Sequence, residues 1–129
     1  MPSFSEHGAC RAPVRQVWKL LHDPTRIAEW FGDEGDRVVP GDDRITVHTP
    51  TEPHPLPHAV DPLKREAQVR FSCLTSGITF DWRLRPEATG CSMSVLVEIP
   101  DSWAHYLEPE RALVRSQIVR LGAAAESAG

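Results

Sequence analysis

Few residues in this sequence are of a type and spacing that could do chemistry. Gln117 interrupts a helical stripe made by Leu113, Val114, Ile118 and Leu121. A buried amide without partners costs roughly 1–3 kcal/mol, so it must bond to a ligand, a water, a strand side chain or another structural partner. His48, His54 and His58 lie close together around a proline-rich segment, but their spacing fits no standard metal motif, and a metal needs ligands that converge at fixed distance. Asp33, Glu34, Asp36, Asp42 and Asp43 match no calcium loop and read as solvated turns. Cys10, Cys73 and Cys91 are odd in number and widely spaced. They read as reduced thiols packed as small hydrophobes, which fits a cytoplasmic protein.

Acid–base catalysis needs titratable groups inside a pocket. Arg70, Asp81, Arg83, Arg85 and Glu98 fall on the wet face of the most legible strands, which leaves Tyr106, Gln117 and either His7 or Glu6 as polar groups that could work inside. His22 and His105 lie at element ends and read as solvated. There is no serine elbow, phosphate loop or dinucleotide fingerprint. No catalytic residue, cofactor or metal is therefore assigned.

The elements that must position these residues follow from periodicity. Residues 3 to 11 read as a short strand. In APVRQVWKLLHDP, Val14, Val17, Trp18 and Leu21 share one helical face, with Pro13 near the first turn. Asp23-Pro24 stops this helix and caps the next, TRIAEWF, which places Ile27, Trp30 and Phe31 together before Gly32. Residues 50 to 58, rich in Pro50, Pro53, Pro55 and Pro57, are expected to form an extended exposed loop, because X-Pro units disfavour helix and remove ladder donors. Strand alternation runs through DRITVHT, EAQVRFSCL, ITFDWRLR and CSMSVLVEI, with Leu96 out of phase. The last three make an antiparallel meander with one dry and one wet face. The chain closes with a long amphipathic helix from about Pro109, where Glu108 and Glu110 suit the positive end of the dipole.

Composition sets the outer bounds. The chain has 129 residues, read as one domain spanning 1–129; it is 40% hydrophobic and 25% charged, with a net charge of -4. The acidic balance offers no basic face, so no nucleic-acid partner is expected. No run of about 18 apolar residues exists, so no membrane insertion is expected, and MPSFSEHGACRAP shows no secretory signal. Nothing sets the oligomeric state.

APVRQVWKLLHDPTRIAEWF resembles the signature of the START-like superfamily that includes polyketide cyclases (the SRPBCC proteins): an alanine-proline entering a helix with a Val-Trp pair, then Asp-Pro and a tryptophan-containing second helix. PGDDRITV, VDPLKREAQVRF and ITFDWRLRPEATGCSMSV look like later turns and strands of the same family, so the resemblance covers nearly the whole chain. The proline-rich loop at 50–58 departs from the pattern, and the segment between Ile99 and Pro109 has little room for the lid helix of larger relatives.

The resemblance implies an α+β helix-grip fold: a curved antiparallel sheet wrapped around a long C-terminal helix, with two short helices after the first strand. It also implies a cavity between sheet and helix. By their pattern, Phe71, Phe80, Trp82, Met93, Val95 and Val97 from the strands and Val114, Gln117 and Ile118 from the helix would face it, with Trp30, Trp103 and Tyr106 at its mouth. The expected function is binding of a hydrophobic or aromatic small molecule, lipid or polyketide-like. Two alternatives stay open. One is a polyketide cyclase or dehydratase acting in the same cavity. The other is an interaction module like the chaperone-ATPase activators, with an apolar patch around Trp103, Tyr106 and Leu107.

Overall fold

The computed structural model describes residues 1–128. Seven strands form one antiparallel sheet: β1 (Ser3–Cys10), β2 (Arg37–Pro40), β3 (Arg44–His48), β4 (Leu56–Lys64), β5 (Gln68–Cys73), β6 (Thr79–Glu87) and β7 (Gly90–Glu98). Their order across the sheet is β1-β7-β6-β5-β4-β3-β2. Helices α1 (Val14–His22) and α2 (Pro24–Ile27) follow β1, and a 3-10 turn (Asp101–Tyr106) leads into the long helix α3 (Leu107–Ser127). This is the helix-grip architecture.

The period-two patterning becomes a continuous apolar row. Val60, Phe71, Phe80, Val97 and Phe4 sit side by side across β4, β5, β6, β7 and β1, and all five are buried. Val69, Trp82 and Val95 form the next row. Against these rows pack Val17, Leu20 and Leu21 of α1 and Val114, Ile118 and Leu121 of α3. Leu96 points to the other, half-exposed face.

Helix α3 approaches β1 closely because Gly8 has no side chain: a Cβ there would overlap the Ile118 Cγ2 methyl. Glu6, one pleat along, accepts a hydrogen bond from Arg115 Nε at 2.9 Å and faces Arg111 at 3.5 Å. At the other side of α3, Gln117 Nε2 donates to the Phe31 carbonyl at 3.0 Å, and Arg120 donates to the Gly32 carbonyl. Two side chains of α3 thus hold the turn that follows α2.

Three expectations need correction. Residues 56–58 are not loop: they begin β4, and His58 is buried. A strand with two prolines is tolerated because Pro62 lies past the β3 pairing, which runs only from Leu56 to Ala59, and next to a bulge in the ladder with β5, while Pro57 faces Leu74, just past the end of β5, whose amide donates to the Pro57 carbonyl at 2.9 Å. Second, α2 ends at Ile27, so Trp30 and Phe31 lie in the turn after it; Trp30 Nε1 donates to the Leu20 carbonyl at 2.7 Å, which draws the indole into the core instead of to a mouth. Third, Asp81 lies on the outer face but is not wet. Gln68, Arg70 and Arg83 close over its carboxylate.

Candidate functional site

Where the first turn of α3 leaves the sheet, a cavity of about 370 Å³ remains between the helix, the 3-10 turn and strands β3 to β6. Its apolar wall comes from Phe31, Val47, Leu56, Phe80, Trp103 and Leu113. Phe31 is held by the Gln117 bond to its carbonyl, stacks on Phe71 at 5.6 Å, and meets His58 edge-on at 5.6 Å. Trp103 and Tyr106 tilt against each other at 5.2 Å in the 3-10 turn, which forms one side of the cavity. Asp33, Asp36 and Glu52 stand on the wall toward the β2 and β3–β4 segments.

The structure distributes the sequence-predicted residues unevenly. Phe80, Trp103 and Tyr106 line the cavity. Trp30, Phe71, Trp82, Val95 and Val114 are packed in the solid core; Trp30 makes edge contacts to Phe71 and Trp82 at 5.9 and 5.2 Å. Those rings fill the space beneath α1 and α3, so the gap between sheet and helix is closed at its centre, and the cavity lies toward one end of it. Gln117, 1% exposed, bonds to the Phe31 backbone and braces the wall. Met93 and Ile118 lie near Gly8, at the far end of α3. There a separate shallow groove runs between His7–Cys10 and Ile118–Ala123. Trp103, Tyr106 and Leu107 are half-buried, and the large exposed apolar side chains (Met1, Val39, Leu63, Leu74, Leu96, Val119) are spread over separate elements.

The sequence reading passes over the polar heart of the cavity: His58, Cys73 and Glu110. His58 and Cys73 are direct partners across the β4–β5 ladder, on the same face as Val60 and Phe71. His58 Nδ1 lies 3.0 Å from the Leu56 carbonyl. A carbonyl can only accept, so Nδ1 carries a proton in either form of the ring, and Nε2 is the position that takes or gives the second proton. Burial raises the Cys73 thiol, but hydrogen bonds from His58 and from the side chain and backbone of Ser76, together with the charge of His58, outweigh it and bring the thiol down to about 6. Glu110, in the first turn of α3, points inward. Burial pushes its carboxyl up to about 7, opposed by the charge of His58 and aided by that of Cys73. Its Oε2 is buried with no hydrogen-bond partner among the described residues.

A signal for this trio is present in the chain. His58 alternates with Val60, and Cys73 with Phe71, so both fall on dry faces once β4 is recognised as a strand. Glu110 lies one turn before Val114 on the inward stripe, and its place near the helix start supplied a sufficient surface explanation. Among the described residues no three His, Cys, Asp or Glu side chains are placed to hold a metal ion. No helix is long and apolar enough to cross a membrane.

No protein-family model and no curated protein matches the sequence. Solved structures do resemble the fold. A protein from Chromobacterium violaceum aligns over 96% of both chains with 19% identity and a TM-score of 0.75. The AHSA1-like protein from Aeromonas hydrophila aligns over 95% of this chain and 94% of its own, with 13% identity and a TM-score of 0.72. DynU16, a protein of the dynemicin biosynthetic locus, covers 98% of this chain with 22% identity and a TM-score of 0.72; this chain spans 48% of it. At these identities the likeness establishes the architecture, and the architecture hosts many activities.

Proposed function

We propose that this chain, which shares the helix-grip fold of the START-like (SRPBCC) proteins, binds a small hydrophobic or aromatic molecule between its sheet and the first turns of α3. The supporting observation is the cavity of about 370 Å³ with aromatic walls and a few convergent polar groups, His58, Cys73, Tyr106 and Glu110. Small-molecule sites have this composition, and their volumes run from roughly 300 to 1,000 Å³. A volume near the lower bound favours a compound of one or two rings over a long-chain lipid. Phe31 and Trp103 offer faces for stacking, and Glu110 offers the ligand a hydrogen bond that no protein group now takes.

A thermal-shift series with 2-naphthol, 4-phenyl-2-butanone and decanoic acid tests the reading. A ligand at 100 times its Kd adds about 2.7 kcal/mol to the folded state. The aromatic probes are expected to raise the unfolding temperature of the wild type but not of Leu113→Trp, whose larger side chain fills the cavity. Absence of a shift with all three probes, or an undiminished shift in the variant, would reject it.

A catalytic second reading, that of a cyclase or dehydratase, is favoured by one observation: Glu110 is a buried carboxyl on the cavity wall with a raised pKa, the state suited to giving a proton near neutral pH. It requires that a bound substrate be recovered changed, and that Glu110→Gln suppress the change without weakening binding.

A further inference from the structure

Three observations meet at one spot and call for more than a binding pocket. A buried thiol, a histidine whose Nδ1 is engaged by the Leu56 carbonyl so that Nε2 is left to exchange a proton, and a carboxyl with an unpartnered oxygen all line the same aromatic-walled space. We propose that Cys73, His58 and Glu110 form a thiol-addition site that captures a compact aromatic α,β-unsaturated carbonyl compound covalently. The inference rests on the small-molecule reading above, since the electrophile must first enter the cavity.

The chemistry balances without any co-reactant. The Cys73 proton moves to His58 Nε2. The sulfur lone pair forms an S–C bond at the β-carbon, and the C=C electron pair shifts toward the carbonyl. Glu110, protonated in a large fraction of molecules near neutral pH, donates a hydrogen bond to the carbonyl oxygen as charge grows there. The α-carbon then takes the proton held on His58. The sum is addition of S–H across C=C; nothing is oxidised and no group leaves. Sulfur attacks as thiolate, and the thiolate population at neutral pH is set by the lowered Cys73 value.

The other two thiols provide an internal contrast. Burial raises both Cys10 and Cys91, the latter to about 11, and neither touches this cavity. The remaining ionisable groups on the cavity wall are Asp33, Asp36, Glu52 and Tyr106.

The test incubates the intact protein with 4-phenyl-3-buten-2-one, follows adduct formation by mass spectrometry, and maps the modified peptide. The saturated ketone 4-phenyl-2-butanone serves in parallel as a non-covalent probe. The expected result is a single adduct on Cys73 whose rate is half-maximal near pH 6 instead of near the ordinary thiol value. The rate is expected to fall at least tenfold in His58→Gln and severalfold in Glu110→Gln, and no adduct should form in Cys73→Ser. Binding of the saturated ketone without any Cys73 adduct would overturn the covalent proposal and leave the binding reading standing. Failure of both probes to bind would overturn both. Equal labelling of Cys10, or a rate indifferent to His58, would overturn the covalent proposal even if an adduct formed.

Discussion

Trp30→Ala is expected to lower the unfolding free energy by about 3–5 kcal/mol, the range for deleting a buried aromatic side chain. Trp30 is 1% exposed and sits at the junction of every layer. Its ring meets Phe31, Phe71 and Trp82 edge-on at 5.6, 5.9 and 5.2 Å, and its indole nitrogen bonds to the last full turn of α1 through the Leu20 carbonyl. Alanine removes the area, the edge contacts and the bond together, and the backbone around it is too well anchored to collapse into the void. A fall in melting temperature on the order of 10–20 °C follows for a domain of this size. Phe31 leans on Trp30 and forms the cavity wall, so ligand affinity should fall with stability. A loss below about 1 kcal/mol in urea unfolding would show that the core does not pack as described.

Glu110→Gln is expected to stabilise the protein above neutral pH and leave it nearly unchanged at pH 4. The folded carboxyl titrates at about 7 against an ordinary 4.5. Between those values the folded chain keeps a proton that the unfolded chain has released, so stability falls as pH rises, and the burial cost of the charge is complete above pH 7. At roughly 1.4 kcal/mol per unit, that cost is on the order of 3–4 kcal/mol. Cys73 works in the opposite sense. Its folded value near 6 lies below the ordinary 9.0, so between pH 6 and 9 the unfolded chain holds the extra proton and stability rises with pH. The wild type should therefore be least stable near pH 6–7, and Glu110→Gln should erase the falling limb between pH 4.5 and 7. Parallel pH profiles for the two proteins, measured by urea unfolding, would contradict the buried placement of this carboxyl.

The architecture was legible because its signals are local and repeated. Alternation in β5, β6 and β7 fixes which side chains face inward, and Ala12-Pro13 with Asp23-Pro24 brackets α1. β4 was hidden because Pro57 and Pro62 argue against a strand unless one knows that β3 pairs with it only as far as Ala59, that β5 ends at Cys73 and that a bulge follows Pro62. That knowledge is tertiary. The site suffered from the same gap. Without β4, His58 reads as a loop histidine, and Cys73 has no partner opposite it. An inward direction is also not the same as contact with empty space. Trp82 and Val95 do face the helix side of the sheet, but Trp30, arriving from the turn after α2, fills the volume above Trp82. Which part of an inward face remains open depends on what other elements bring to it, and a single strand carries no record of that.

The location of a bound probe decides the central claim. The ¹⁵N-labelled protein should be titrated with 4-phenyl-2-butanone while backbone amide and indole resonances are followed. Saturable shifts centred on Ser76, the Trp103 indole and Leu113, with Gly8, Cys10 and Gly122 unmoved, are the expected result. Shifts confined to the groove between β1 and the far end of α3, or no saturable shift at all, would contradict binding in the cavity beside Glu110.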